Sequence, residues 1–402
     1  MAMESLILVV NPGSSSRKYA LFANGEKRAN INFEFEDGKV TGKVEYNGQK
    51  YPAAYDDADL SEVCRYVLPL IHQYKIISDT DNLAAIGIRV VAPVMRFTKD
   101  ELITDEVESA LEAIQQKAPL HITTALAEIK QIKDHFPGTP LIAISDTAFH
   151  STKQEYAWYY GIDPELAEKF GIKRYGYHGI SVGSVVHYLK EKGMLSPKTI
   201  ICHLGSGSSL TAVENGKSVD TTMGYSPLEG LMMATRSGTI DVSAALAIKR
   251  ELNLSDDELE QYLNKKSGLI GVSGSSNDIR QLVTSEEQGD DRARLALGLL
   301  VYRIQLAIGQ MAASMDGVDC IVLTGTVGER SSIIRGRILD HLGYLGFTYE
   351  PSANEQAFEP TDVANIAIAS GKPVLVVSTD EAAEIARRTA QYIQGESKLP
   401  QM

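Results

Sequence analysis

Several features that mark large protein classes are missing from this sequence. It holds only three cysteines in 402 residues, Cys64, Cys202 and Cys320. They are far apart and show no Cys-x-x-Cys or Cys/His spacing, so neither a disulfide framework nor a zinc site is indicated. No apolar run approaches the roughly 18 to 20 residues that a membrane span needs. The first residues, MAMESLILVV, carry an acid before the apolar run and neither a basic n-region nor a small-residue cleavage site. That argues against a signal peptide, and the expectation is a cytoplasmic protein with no membrane partner. Positive charge is also scarce: 39 Lys and Arg stand against 52 Asp and Glu, a net charge of −13. Nucleic acid is therefore excluded as a partner, and cations that matter must be placed locally. There is no GxxxxGK[ST], no HExxH and no GxSxG, and GSGSSL at 205–210 fails GxGxxG because Leu210 stands where the last glycine belongs.

What is present is a pattern stated twice. Leu6 to Phe22, LILVVNPGSSSRKYALF, is an apolar run, a Gly/Ser loop and a second extended run. The loop from Asn11 to Lys18 offers backbone amides freed by Gly13, three hydroxyls and two cations, a set that suits a polyanion such as a nucleotide phosphate. An ordinary hairpin with a polar turn has the same local look. Thr199 to Lys217, TIICHLGSGSSLTAVENGK, repeats the order down to a closing Asn-Gly turn. Gly13 and Gly205 are 205 − 13 = 192 residues apart, and the Asn-Gly turns at Asn24 and Asn215 are 215 − 24 = 191 apart. Near-equal spacing predicts a duplicated hairpin, and two such hairpins facing across a cleft would grip a phosphate chain from both sides.

A chain of 402 residues exceeds what one growing core supports, so two domains are expected. The order along the chain is strands first, then alternating helix and strand, in both halves. That predicts an α/β fold with mixed sheets, whose ligand-binding loops lie at the carboxyl ends of the strands. The expected domains are 1–146, with the helix at 380–396 packing back on it, and 147–379. Helices are expected at 60–74, 106–117, 123–135, 240–252, 256–265, 292–315 and 380–394.

Ten ordered motifs carry a resemblance. They are Asn11 to Lys18, Gly87 to Val91, Ala118 to His121, Asp146 to His150, Arg174 to Gly179, His203 to Gly207, Ser218 to Gly224, Pro227 to Met233, Thr235 to Gly238 and Ser378 to Glu381. In that order they resemble the acetate kinase family over nearly the whole chain. The resemblance implies a duplicated ribonuclease-H-like fold, shared with sugar kinases, actin and Hsp70 ATPase domains, a homodimer, and a kinase that makes an acyl phosphate from a short-chain acid and ATP with Mg²⁺ (or Mn²⁺). A nucleotide-binding relative with a regulatory or assembly role, and a kinase using another acid or pyrophosphate, are the competing readings.

The chemistry limits what is needed. A carboxylate is already ionised at neutral pH and requires no general base, but its repulsion from the phosphates must be cancelled. Arg89 and Arg236 offer planar forks for that purpose, and the resemblance assigns them, with Asp146 and His178, to the catalytic site. It assigns Asn11 and Glu381 to the metal and Val91, Leu120, Tyr177 and Pro227 to the apolar notch for the acid, with His121 a secondary candidate. For the nucleotide it implies Ser14, Ser16, Lys18, His203, Gly205, Gly207, Asp278, Ile279, Arg280, Gly325, Thr326 and Gly328. The chain departs from the family pattern at Ala92-Pro93-Val94, where His-Gly-Gly is usual, at Ile88 and Val182, where histidines are usual, at Tyr177, usually Phe, and at Thr326, usually Gly. These changes predict an altered acid pocket and an altered fit for the adenosine.

Overall fold

The computed structural model describes residues 5–13, 16–36, 39–55, 59–77, 82–115 and 119–395. The chain forms two compact units, Met1–Ala148 with Asp380–Met402, and Phe149–Thr379.

The first unit is built on strands β1 (Leu6–Pro12), β2 (Ser16–Ala23), β3 (Glu26–Glu36), β4 (Lys39–Tyr46), β5 (Gln49–Tyr55), β6 (Leu83–Val90), β7 (Glu101–Leu102) and β8 (Leu141–Ser145). They lie in the order β5-β4-β3-β2-β1-β6-β8-β7. β1 runs antiparallel to β2 and parallel to β6, and β6 runs parallel to β8. The predicted strand around Asp37-Gly38 is the β3–β4 pair, and the two turn residues lie outside the described residues. Leu6 to Val10 of β1 and all of β8 are buried without a break, as expected of central strands covered on both faces. Leu8, Val10, Ile86, Ile88, Val90, Leu141 and Ala143 point into one core cluster. The alternate residues face the helix Glu381–Ile393, which packs on β1, β6 and β8.

The second unit repeats the plan with β9 (Lys198–Leu204), β10 (Ser208–Glu214), β11 (Lys217–Thr221), β12 (Cys320–Thr324), β13 (Ala364–Asn365) and β14 (Val374–Val376), in the order β11-β10-β9-β12-β14-β13. β9 is antiparallel to β10 and parallel to β12, and β12 is parallel to β14. Thus β3-β2-β1-β6-β8 and β11-β10-β9-β12-β14 share strand order and direction, which is the duplication that the repeated hairpins predict. On β9, Ile200, Cys202 and Leu204 face a core with the helix Asp291–Ser314, while Ile201 faces the helix Gly179–Glu191. The helix Asp291–Ser314 is long and apolar enough to cross a membrane by length and composition alone, yet Ala296, Leu300, Ile304 and Ile308 are core residues.

Helices expected at 106–117 and 123–135 are Asp105–Ala113 and Pro119–His135, and the one expected at 256–265 has those bounds. The segment expected as one helix at 60–74 is a 3-10 turn over Leu60–Tyr66 followed by the helix Val67–Gln73. Asp59 caps the turn, and Pro69 in the first turn of the helix costs no interior bond.

Candidate active site

In the first unit the period-2 alternation of three adjacent strands decides the site. Asn11, Arg89 and Asp146 continue the faces of Val9, Gly87 and Ile144, so all three project from the strands' carboxyl ends on the side of the helix Glu381–Ile393. Arg89 Nη2 donates to Asp146 Oδ2 at 3.1 Å, and Nη1 lies 3.4 Å from Asn11 Oδ1. Asn11 Nδ2 donates to Glu381 Oε2 at 2.9 Å. Asp146 is 1 % exposed, and its own amide donates to Val90 O. Burial opposes the Arg89 charge, but the carboxylates of Asp146 and Glu381 outweigh it and hold the guanidinium firmly protonated. Its Nε is buried and has no hydrogen-bond partner among the described residues. A buried donor left open at the end of a strand suits an incoming anion.

The turn bearing Asp146 is braced from behind by residues the sequence did not single out. Ser145 Oγ accepts from the amides of Thr147 and Ala148, and Ser145 N donates to Asp100 Oδ1 at 2.9 Å. Arg388, on the C-terminal helix, donates to Asp100 and to Ser145 O. Of the two cations in the first Gly/Ser loop, Lys18 is exposed and pairs in register with Asn11. Arg17 is turned inward. It pairs with buried Glu128 at 3.1 Å and donates to the carbonyls of Gly13 and Ser16, so it shapes the loop and does not face a ligand. Ser16 opens β2, and Gly13 N donates to its carbonyl at 2.8 Å. Ser14 lies outside the described residues, and Leu120 and His121 are described only as backbone of the helix Pro119–His135. Val91 follows β6 and is buried, and Ala92 with partly buried Val94 packs into the core of this unit.

In the second unit His178 stands at the start of the helix Gly179–Glu191 in a left-handed conformation, with φ of 60°. Its Nδ1 is 3.0 Å from Ser209 Oγ, and its ring lies 4.4 Å from that of His203. His203, the penultimate residue of β9, lies on the same face as Ile201, so it meets the helix, and its Nδ1 is 2.7 Å from Ser181 Oγ. Ser181 and Ser184 also contact Thr379 Oγ1. A Cβ at Gly207 would sit 3.3 Å from His178 Nε2 and 3.4 Å from Arg236 Nη1. Two nitrogen-bearing side chains therefore converge on one loop residue. Arg236 Nη1 also lies 3.5 Å from Pro227 O. Tyr177 is buried, and its hydroxyl donates to Tyr225 O at 2.7 Å, so the extra oxygen is satisfied next to Pro227.

The nucleotide candidates gather around the ends of β9 and β12. Gly205, Ala234, Ile279 and Val327 line one apolar crevice. Gly205 N donates to Gly207 O, closing the loop on itself, and Gly325 packs on the Leu204 backbone. Thr324, in register with His203, has a buried Oγ1 without a partner among the described residues. Asp278 caps the helix Ile279–Glu287 and holds Arg280 through two side-chain bonds. The Arg280 guanidinium keeps the Asp278 carboxyl below the usual range, and Arg280 itself is turned out to solvent, as is Thr326. Gly328 is buried in the short helix Gly325–Arg330.

The donor set beside Arg89 fits Mg²⁺. Asn11, Asp146 and Glu381 offer oxygen only, and no group of three acidic, His or Cys side chains forms a cage among the described residues. Mg²⁺ commonly takes one or two carboxylates and completes its octahedron with waters and phosphate oxygens.

Both halves thus describe a phosphotransferase of the two-fold ribonuclease-H-like class, with basic and imidazole groups at the carboxyl ends of duplicated sheets. Residues 6–387 match the Acetokinase family, and the chain belongs to it. It is 40% identical over 393 residues to the acetate kinase of Clostridium botulinum (strain Langeland), covering 96% of this chain and 98% of that one. Among solved structures it is similar to Porphyromonas gingivalis acetate kinase, with a TM-score of 0.86 and 32% identity over 97% of this chain and 100% of that one. It is also similar to a propionate kinase from Francisella tularensis, with a TM-score of 0.88 and 32% identity over 96% and 99%.

Proposed function

We propose that this chain transfers the γ-phosphoryl group of ATP directly to the carboxylate of a short-chain acid, giving an acyl phosphate and ADP, and that it runs in both directions. The observation that carries this reading is the Arg89–Asp146 pair beside Asn11 and Glu381, a half-buried cation at the end of a strand whose Nε has no partner among the described residues. The acid needs no base, so the work of the site is charge cancellation and alignment. Asp146 fixes the fork of Arg89, which steadies the acid and the phosphoryl group in transfer. His178 and Arg236, converging on Gly207, donate to phosphoryl oxygens as charge develops. We assign Ser14, Ser16, Lys18, His203, Gly205 and Gly207 to the phosphates, and Asp278, Ile279, Arg280, Gly325, Thr326 and Gly328 to the adenosine. Mg²⁺, held by Asn11 and Glu381, supplies neutralisation of the phosphate charge when bound.

The residues we assign to the acid, Val91, Leu120, Tyr177 and Pro227, include and adjoin positions where this chain differs from the family pattern. Similarity to both an acetate kinase and a propionate kinase leaves the acid to the pocket, and we place acetate low among its substrates. The enzyme acts in the cytoplasm as a homodimer. The helix Val242–Glu251 buries none of its residues and leaves Val242 and Leu246 exposed, an apolar face available to a second copy. Phosphorus NMR of the protein with ATP, Mg²⁺ and acetate, propionate or butyrate tests the activity. An acyl-phosphate resonance growing with ADP is expected, and its absence with every acid and with pyrophosphate as donor would refute the reading.

A further inference from the structure

The Asp146 to His150 motif contains one residue to which the reaction gives no task. His150 is wholly buried, and both ring nitrogens are engaged: Nε2 lies 3.0 Å from Tyr177 O and Nδ1 lies 2.9 Å from Ser218 Oγ. A carbonyl can only accept, so Nε2 carries the proton, and in the neutral ring Nδ1 accepts from the Ser218 hydroxyl. Ser218 is held in turn on β11, where Thr152 Oγ1 donates to its carbonyl at 2.9 Å. The ring also presses on Gly176, whose φ is +84°, and a Cβ there would come within 2.9 Å of His150 Cδ2. Lys153, next on the same segment, donates to the carbonyls of Arg174 and Tyr175.

We propose that His150 is a positioning residue for His178, acting through the Tyr177 carbonyl, and this rests on the phosphotransfer reading above. The peptide joining Tyr177 to His178 is one rigid plane, so fixing its oxygen fixes the amide of His178 as well. His178 occupies the left-handed region, a conformation that persists only where its surroundings over-determine it. His150 supplies that constraint through the Tyr177 carbonyl, while Ser209 holds the ring itself at Nδ1, and so aims the His178 ring at the phosphoryl group.

The test separates the two nitrogens. His150→Gln keeps a donor near the Nε2 position, and His150→Asn keeps only the partner of Ser218. Activity per folded enzyme is measured with Mg²⁺, ATP and the best acid, together with the nitrogen resonances of the His178 ring, assigned with His178→Asn. His150→Asn is expected to lower kcat about 10- to 100-fold, with KM for ATP within about twofold and the His178 resonances shifted. His150→Gln is expected to recover most of the loss. Ser218→Ala, a milder change, is expected to shift the same resonances and lower kcat less, and it decides the matter if His150→Asn does not fold. Unmoved His178 resonances with unchanged kcat, or equal impairment in Gln and Asn, would overturn the proposal. A wild-type protein without acyl-phosphate formation would refute the phosphotransfer reading alone, since the resonances still report on positioning.

Discussion

Arg89 donates from Nη2 to Asp146 Oδ2 across the carboxyl ends of two neighbouring parallel strands, and the carboxylate is almost wholly buried while the guanidinium keeps an exposed edge. The pair is therefore anchored on one side and open on the other. Arg89→Ala is expected to lower kcat by about 10²- to 10³-fold in protein that remains folded, because the stabilisation lost there is of transition-state charge. Arg236→Ala is expected to do the same. Steady-state kinetics on folded variants check both, and near-normal turnover in either would remove that arginine from the site.

Much of this arrangement was legible in the sequence, and its limits have physical causes. The repeated hairpins and the central strands follow from the apolar runs, and among the described residues Asn11, Arg89, Asp146 and Glu381 meet in the first unit and His178, His203, Gly207 and Arg236 in the second. The helix Gly179–Glu191 was not legible, because Ile180, Val182, Val185, Val186 and Leu189 are buried around glycines and serines and leave no amphipathic stripe. The contacts of His150 and Lys153 were not legible for a different reason. They bond to backbone carbonyls 21 to 27 residues away, and a carbonyl acceptor has no side-chain signature. Arg17 looked like a ligand cation, but its place on β2 turns it to the face that holds Glu128.

That buried pair gives a stability prediction. Arg17→Met leaves the Glu128 carboxylate buried without its cation, with the Tyr19 hydroxyl as a remaining partner. The expected loss is about 3 to 5 kcal/mol. Arg17→Met/Glu128→Met should recover most of it. Urea unfolding of the two variants checks this, and a double variant no more stable than the single would contradict it.

Lys153 gives a pH prediction. Burial pushes its amine from 10.5 down to about 7, with Asp220 and Glu229 opposing the shift and Arg174 adding to it. Between those values the unfolded chain holds a proton that the folded chain has released, so this group's contribution to stability rises as pH rises through the window. Its burial as a cation costs most below pH 7. The thermal midpoint of Lys153→Met relative to wild type should therefore be highest near pH 6.5 and fall by pH 9.5. A pH-independent difference would show that Lys153 does not titrate there.

Tyr177 tests the acid pocket. Tyr177→Phe removes the bond to Tyr225 O and is expected to cost about 1 kcal/mol of stability. Restoring His-Gly-Gly at 92–94 should cost more, since Ala92 and Val94 pack into the core. Together the changes should raise kcat/KM for acetate relative to longer acids. An unaltered ranking would mean that these positions do not shape the notch.

The proposed reaction joins the γ-phosphoryl group of ATP to a small carboxylate through Arg89. Trapping acyl phosphate as its hydroxamate, with wild type and Arg89→Ala side by side over acetate, propionate and butyrate with Mg²⁺ and ATP, tests it most directly. Hydroxamate should form with wild type, more from another acid than from acetate, and fall by about 10²- to 10³-fold in the variant. Equal hydroxamate from both proteins, or none from wild type with any acid, would contradict the account.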